Sequence, residues 1–209
     1  MTAPTADITE AIGAAMPEMD DDERRLAAAI YRALLRGDEP RPQDLAEQAG
    51  LDPAVVEARL ETWPGVFRDG ERVIGFWGLT TQAISPHVVQ WNGATTYAWC
   101  ALDPLFILPT LGETARVEST CPTTGARVTL TVGPDGARDA DPVTPVMSVL
   151  VPDGPFDSDV IQSFCHFVHF FADDAAARAW SGDHEHTMHV SLADAEAIGA
   201  TLAGRVFGA

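Results

Sequence analysis

The chain has 209 residues, and 46% of them are hydrophobic, enough to bury the core of one sizeable domain or two small ones. Its net charge is −18, and all 13 basic residues are arginines. Such an acidic surface repels nucleic acid and anionic membranes, so neither is expected as a partner. No apolar run approaches the roughly 20 residues that a membrane span requires.

Residues 1–20 are acidic and lack the basic start of a secretory signal. They are predicted to form a flexible arm, and the protein is expected in the cytoplasm, where thiols stay reduced. The three cysteines, Cys100, Cys121 and Cys165, are odd in number and widely spaced, which argues against a disulfide framework. Free thiols with a chemical role therefore become a hypothesis.

Residues 21–80 have the pattern of a small helical module. Three amphipathic helices are predicted between residues 20 and 63, separated by a Gly37 to Pro42 break and by Gly50. A hairpin follows over residues 66–80, turning at Asp69 and Gly70. Three helices and a hairpin are typical of a winged-helix-like domain.

The charge of this module decides whether it is interpreted as a DNA-binding domain or as a structural or lid domain. Residues 1–80 carry 8 arginines against 16 acidic residues, a net charge of −8. Arg59, on the candidate recognition helix, lies between Glu57 and Glu61. Phosphate contact needs the opposite balance, so a structural or lid domain is favoured over a DNA-binding domain.

Residues 81–209 are predicted to form a mixed α+β domain with antiparallel hairpins. The hairpins are expected at 85–99, around Asn92-Gly93, and at 114–132, with a further turn at 133–136. Helices are predicted at 104–111, 174–180 and 191–207, and strands at 146–151 and 164–171. The fold class is therefore α+β.

Cys100 and Asp103 lie three residues apart where a strand is predicted to give way to a helix. Asp103 and Pro104 suit the N-cap and the first position of that helix. A helix N-terminus lowers the pKa of a nearby thiol, and an adjacent carboxylate could accept its proton. The plainer alternative is a buried structural cysteine beside an ordinary capping aspartate, and the residues alone favour it.

Cys165 lies in a predicted strand, where a period of two places it on one face with Phe167, His169 and Phe171. A cysteine among aromatic side chains is desolvated, which favours the neutral thiol unless a cation or a soft metal binds it. Strand statistics alone favour a core strand with a hydrogen-bonded histidine.

Two other features are weaker candidates. His184, His186 and His189 could bind a transition metal, but their polar segment is better interpreted as a solvated loop. Cys121 stands alone in a turn and offers no complete set of zinc ligands. It is predicted to be structural.

Several segments occur together in an order that resembles one family. They are Tyr97-Ala-Trp-Cys-Ala-Leu-Asp103, Thr114-Ala-Arg-Val117, Thr124-Gly-Ala126, Val128-Thr-Leu-Thr-Val132, Ser163-Phe-Cys165 and His169-Phe-Phe171. The chain resembles the bacterial organomercurial (alkylmercury) lyases, most densely from about residue 97 to residue 180. The resemblance is weaker over 20–80, where the family has a winged-helix-like N-terminal domain.

The resemblance implies that Cys100, Cys165 and Asp103 are catalytic and that Cys121 is structural. It implies protonolysis of a carbon–mercury bond, with Hg(II) left on Cys100, Cys165 and Asp103. No cofactor is expected; an external low-molecular-weight thiol would restart the cycle, and a mercuric reductase is a candidate acceptor of the ion. One departure is His166, because some members have a second cysteine there; strand alternation predicts that His166 points away from the Cys165 face.

Three rival functions stay open on the sequence. A non-catalytic relative could bind mercury or another soft metal through the same thiols without cleaving anything. A cysteine hydrolase would use His169 as the base for Cys100 or Cys165. A transcription regulator is disfavoured by the acidic N-terminal region.

Overall fold

A computed structural model describes residues 5–182, 184 and 187–208, with residue 206 described by its backbone alone. The helices of this described part are α1 (Thr5–Ala15), α2 (Asp21–Leu35), α3 (Pro42–Ala49), α4 (Pro53–Thr62), α5 (Asp103–Leu111), α6 (Val160–Ser163), α7 (Asp174–Ser181) and α8 (Leu192–Phe207). A short 3-10 turn, Cys165–Phe167, follows α6.

The predicted flexible arm over residues 1–20 was wrong for residues 5–15. This segment is helix α1, whose Ile8, Ile12 and Ala15 side chains are buried against the body of the protein. Arg205 on α8 forms a 2.9 Å ion pair with Glu10. The apolar face of α1 is short, and a short helix is not stable by itself. The segment could therefore be recognised as a helix only once α8 was seen to cover that face.

Most strands form one antiparallel sheet in the order β1-β2-β3-β5-β4-β6-β7-β8 within the described residues. These strands are β1 (Val66–Asp69), β2 (Arg72–Phe76), β3 (Leu79–Thr80), β4 (His87–Trp91), β5 (Ala94–Ala98), β6 (Ala115–Thr120), β7 (Arg127–Gly133) and β8 (Gly136–Asp141). A smaller antiparallel sheet has the order β10-β9-β11, from β9 (Val146–Leu150), β10 (Phe170–Phe171) and β11 (Thr187–Ser191).

The large sheet crosses the predicted domain boundary between residues 80 and 81. Three helices and a hairpin do occupy residues 21–80, as predicted. However, β2 pairs with β3, and β3 pairs with β5 through Leu79 opposite Ala98 and Thr80 opposite Tyr97. The hairpin is therefore the edge of a continuous sheet, not a free wing, and both parts share one hydrophobic core.

The α+β class and the antiparallel hairpins are confirmed. The β4–β5 hairpin turns at Asn92 and Gly93, with φ values of 45° and 87°, which is the backbone that an Asn-Gly turn favours. Ser191 caps α8 by accepting a 3.1 Å hydrogen bond from the Asp194 amide. No described helix is both long enough and apolar enough to span a bilayer.

The strand predicted over residues 164–171 was wrong for most of its length. Only Phe170 and Phe171 pair as a strand, and Cys165–Phe167 form the 3-10 turn. The aromatic residues contact neighbours through tertiary packing instead of alternating across a strand, so their period of two was misleading. The predicted loop over 183–189 also differs, because β11 begins at Thr187.

Candidate functional site

The first part of the site is the loop between β5 and α5. The Cys100 side chain is fully buried there, and Asp103 is 6% exposed. Asp103 is the first residue of α5, after the N-cap Leu102, so the predicted N-cap assignment was wrong by one position. Its carboxylate turns back and accepts a 2.6 Å hydrogen bond from the Cys100 amide. This bond fixes the carboxyl group beside the cysteine.

The turn between β2 and β3 supports Asp103 from behind. Gly78 has φ +101°, and a Cβ atom at this position would lie 2.6 Å from Cγ and Oδ1 of Asp103. Trp77, before it, has φ +29°, which is unusual for a large side chain. The Tyr31 hydroxyl holds this turn by donating a 2.7 Å hydrogen bond to the Trp77 carbonyl. Position 78 therefore requires a glycine while Asp103 occupies this place.

The second part of the site is the 3-10 turn that carries Cys165. Cys165 is 4% exposed, whereas His166 beside it is exposed. The prediction that His166 points away from Cys165 is confirmed, although the cause is a turn and not strand alternation. The backbone amide of Ala101 donates a 3.0 Å hydrogen bond to the Val168 carbonyl. This bond joins the two cysteine-bearing segments directly.

The fold brings the three predicted residues together. Three atoms lie within 4.8 Å of one another: the Sγ of Cys100, the Sγ of Cys165 and a carboxylate oxygen of Asp103. In the part of the chain that the structure describes, this is the one group of three or more His, Cys, Asp or Glu side chains with such spacing. Both cysteines are free thiols. Two thiols and a carboxylate form a donor set suited to a soft metal ion.

Burial sets the protonation of this group. It raises the pKa of Asp103 to about 7, although hydrogen bonds from Cys100 and Trp99 act in the opposite direction. Burial, the Cys165 thiol and the negative charge of Asp103 together raise the pKa of Cys100 well above its usual value. The predicted lowering by the α5 N-terminus was therefore wrong, because desolvation outweighs the helix dipole.

Cys165 is the more acidic of the two thiols. A hydrogen bond from the Cys100 thiol lowers its pKa, but burial and the charge of Asp103 outweigh that bond and leave the pKa raised. The same contact raises the pKa of Cys100, so Cys100 is the donor of the pair. The neutral thiol predicted for a desolvated Cys165 agrees with this direction.

An apolar cavity opens on the site and reaches both Cys165 and Asp103. Its free volume is about 20 Å³, room for about one water molecule. The large side chains in its wall are Ile12, Met16, Trp77, Trp99, Phe106, Phe156, Phe164 and Leu202. Phe156 is held over the cavity by its amide, which donates a 2.8 Å hydrogen bond to the Ala15 carbonyl of α1.

Part of this wall comes from residues that the sequence did not single out. Ile12 and Met16 belong to the segment predicted to be a loose arm, and Trp77 belongs to the region predicted to be a separate module. The weak available signal was Trp77-Gly78, a bulky residue and a glycine at a predicted hairpin. The role of Gly78 depends on long-range packing against Asp103.

The described histidines do not join the thiols. The Nε2 atom of His169 lies 2.8 Å from the His166 carbonyl oxygen and donates there. Its Nδ1 has no hydrogen-bond partner among the described residues, so the ring is not hydrogen-bonded to either cysteine. His184 stacks on Trp180 with ring centroids 3.8 Å apart. His189 Nε2 lies 3.1 Å from Asp174, and His186 lies outside the described residues. The metal-binding alternative for this segment gains no support from the described histidines.

Cys121 is fully buried at the end of β6, apart from the two site cysteines. Its amide donates a 2.8 Å hydrogen bond to the Ala126 carbonyl, and its carbonyl accepts a 2.9 Å bond from the Gly125 amide. These bonds close the turn between β6 and β7. The environment is that of a packed turn residue.

Residues 80–204 match the family model described as alkylmercury lyase. The chain is 36% identical over 177 residues to an alkylmercury lyase of Staphylococcus epidermidis, covering 84% of this chain and 80% of that protein. It is 35% identical over 182 residues to an alkylmercury lyase of Pseudomonas putida, covering 87% and 84%. The chain belongs to the alkylmercury lyase family.

The fold also agrees with a solved member structure. The mercury-bound form of MerB2 superposes with a TM-score of 0.72 over 97% of this chain and 98% of that chain, at 20% identity. At this identity the match supports the fold alone. The family model and the two relatives confirm the family resemblance seen in the sequence motifs.

Proposed function

We propose that this protein cleaves the carbon–mercury bond of organomercurials, releasing a hydrocarbon and retaining Hg(II) on Cys100 and Cys165. The observation that carries the proposal is the close group of two free thiols and one carboxylate at the wall of an apolar cavity. Membership of the alkylmercury lyase family supports the same chemistry.

Mercury capture begins with ligand exchange. The substrate R–Hg–X carries a small thiolate X. A cysteine of the protein displaces X from mercury, which is a soft metal, and the cysteine proton leaves with X as X–H. Cys165 is proposed to attack first. It lines the cavity, whereas Cys100 does not, and its pKa is raised less than that of Cys100 because the hydrogen bond from Cys100 lowers it.

The second thiol then binds the same mercury atom. Cys100 lies within reach because its ligand atom is within 4.8 Å of the Cys165 sulfur. Its high pKa keeps its proton in place until mercury arrives, and coordination then makes loss of that proton favourable. The extra thiolate increases electron density on the carbon bound to mercury, which prepares the bond for protonation.

Asp103 is proposed to carry the proton from the thiol to that carbon. Its pKa of about 7 means that it can both accept and release a proton near neutral pH. The balance is R–Hg–X plus two thiols, giving R–H, X–H and Hg(II) bound by two thiolates. The hydrogen bond from the Cys100 amide keeps the carboxylate beside the reacting thiol throughout.

The cavity wall suits the organic group of the substrate. Trp77, Trp99 and Phe106 provide an apolar surface that favours a methyl or phenyl group over a charged one. The free volume of about 20 Å³ is smaller than a substrate. Phe156 or its neighbours must therefore move before R–Hg–X can reach Cys165.

The remaining requirements follow from the product. An external low-molecular-weight thiol is proposed to extract Hg(II) from Cys100 and Cys165, and no other cofactor is required by this chemistry. A mercuric reductase is a candidate recipient of the ion. Reduced thiols are essential, so the proposed location is the cytoplasm.

Hydrocarbon release tests the proposal. The purified chain is incubated with methylmercury or phenylmercury and excess small thiol, and methane or benzene is measured by gas chromatography. Release over many turnovers, lost in Cys165→Ser, supports the lyase. Tight Hg(II) binding without any hydrocarbon would instead identify a non-catalytic mercury-binding relative.

A further inference from the structure

His169 lies in a conspicuous sequence motif but does not touch the thiols. Its ring is held through Nε2, 2.8 Å from the His166 carbonyl oxygen. Because that carbonyl can only accept, Nε2 carries a hydrogen. Burial lowers the pKa of His169, so the ring is neutral near pH 7 and Nδ1 is a lone-pair nitrogen. Nδ1 is buried without a hydrogen-bond partner among the described residues. The ring therefore acts here as a donor to the backbone.

The neighbouring hydroxyl of Ser148 holds the next carbonyl. Ser148 is fully buried on β9, and its hydroxyl donates a 2.7 Å hydrogen bond to the Phe167 carbonyl. The same oxygen accepts a 2.9 Å bond from the His169 amide. The Ser148 amide in turn donates a 3.0 Å bond to the His169 carbonyl. Ser148 and His169 thus form one closed network.

This network satisfies the carbonyls of the turn that presents Cys165. The Cys165 carbonyl accepts a 3.1 Å bond from the Val168 amide, and the Val168 carbonyl accepts a 3.0 Å bond from the Ala101 amide. His169 and Ser148 hold the two carbonyls between them. A 3-10 turn of three residues is only marginally stable by itself. Its position must therefore come from these bonds, of which those from Ser148 and Ala101 are long-range.

We propose that His169 and Ser148 are positioning residues that hold Cys165 at reaction distance from Cys100 and Asp103. Without them, the turn would lose two of its carbonyl partners and the Cys165 sulfur would shift. A displacement of about 1 Å can slow a reaction about 100-fold. The inference rests on the proposed lyase function, but the distance between the thiols can be tested without catalysis.

The first comparison uses His169→Leu, which removes the donor, and His169→Gln, which places an amide N–H at a similar reach. His169→Leu is expected to lower kcat for benzene release about 10- to 100-fold with little change in KM. His169→Gln is expected to recover most of that loss. His189→Gln is the matched control, since His189 pairs with Asp174 outside the turn. Equal loss in the Leu and Gln variants would overturn the proposal.

The second comparison measures thiol geometry directly. Phenylarsine oxide binds two adjacent thiols and releases one water, so its affinity reports whether Cys100 and Cys165 can bind one atom together. His169→Leu is expected to weaken binding about tenfold or more, and His169→Gln to restore it. Unchanged affinity in His169→Leu would refute the positioning role even if wild-type protein released no hydrocarbon.

A second pair of variants covers the case in which His169→Leu does not fold. Ser148→Ala removes the hydroxyl that holds the Phe167 carbonyl, whereas Ser148→Thr retains one. Ser148→Ala is expected to weaken phenylarsine oxide binding, and Ser148→Thr to retain more of it. Thermal unfolding of each variant defines the temperature at which all are folded. Identical affinities for the two Ser148 variants and the wild type at that temperature would also refute the proposal.

Discussion

The two halves of the site are built in different ways. Cys100 and Asp103 lie three residues apart, and a 2.6 Å hydrogen bond between them is made within one loop. The segment that carries Cys165 is instead bonded to Ala101 and Ser148, which are far away in sequence, through the carbonyls of Val168 and Phe167. The first half can form along with its local structure, whereas the second needs the assembled tertiary structure. Substitutions distant in sequence should therefore affect Cys165 more than Cys100.

Serine substitution of either cysteine gives the largest expected effect. Cys100→Ser and Cys165→Ser should each lower hydrocarbon release by about 10³-fold or more, because both thiolates are needed on mercury. The two variants should differ in capture. Cys100→Ser keeps the cavity-facing thiol and should still bind one equivalent of phenylmercury, measured by mass spectrometry of the intact protein. Capture by Cys165→Ser but not by Cys100→Ser would reverse the proposed order of attack.

Asp103→Asn tests the proton carrier. It keeps an oxygen to accept the Cys100 amide but cannot transfer a proton, so protonolysis should fall about 10²- to 10⁴-fold. Single-turnover benzene release measures this step without interference from product extraction. A variant with wild-type turnover would eliminate Asp103 as the carrier.

Asp103→Asn is also expected to be more stable than the wild type, by an amount that depends on pH. The folded pKa of Asp103, about 7, lies above its unfolded value of about 4. The protonated carboxyl therefore contributes stability that is fully present below about pH 4 and lost as the pH rises to about 7. Asp103→Asn escapes this loss, so urea unfolding should show it more stable than wild type at pH 8 but not at pH 4. Parallel pH profiles would show that burial does not raise this pKa.

Gly78→Ala tests whether the turn behind Asp103 is as tightly fitted as its geometry indicates. The added Cβ would lie 2.6 Å from Asp103 atoms at φ +101°, so the free energy of unfolding should fall by about 2–4 kcal/mol. Gly125→Ala is the control, since φ is +70° but no atom lies within 4 Å, and it should cost about 1 kcal/mol. Equal losses in urea unfolding would mean that the contact with Asp103 can relax.

Cys121→Ser is expected to have the smallest effect and only on stability. It places a hydroxyl in a fully buried site and should cost about 1–2 kcal/mol in urea unfolding. At a temperature where the variant is folded, kcat should match wild type. Loss of turnover in a folded Cys121→Ser protein would give this third thiol a role in the reaction.

Hairpins and helices with strong local signals could be predicted from the sequence. The Asn92-Gly93 turn needs positive φ at both residues. Helix α8 begins where the Ser191 hydroxyl can cap it by accepting a hydrogen bond from the Asp194 amide. The positions of Cys100 and Asp103 followed from the same kind of local information. The turn around Cys165 could not be predicted, because its aromatic residues match a strand pattern until Ser148 and His169 satisfy its carbonyls.

The amino-acid sequence by itself determined the α+β class and the family motifs, and it singled out Cys100, Cys165 and Asp103 as candidate site residues. Only the tertiary structure decided that Cys100, Cys165 and Asp103 lie within 4.8 Å of one another and that burial raises the pKa of Cys100 instead of leaving it lowered by the helix N-terminus. It also placed α1 and Trp77 in the cavity wall. The reason is physical: burial and long-range packing set both distances and pKa values, and neither is encoded in local spacing.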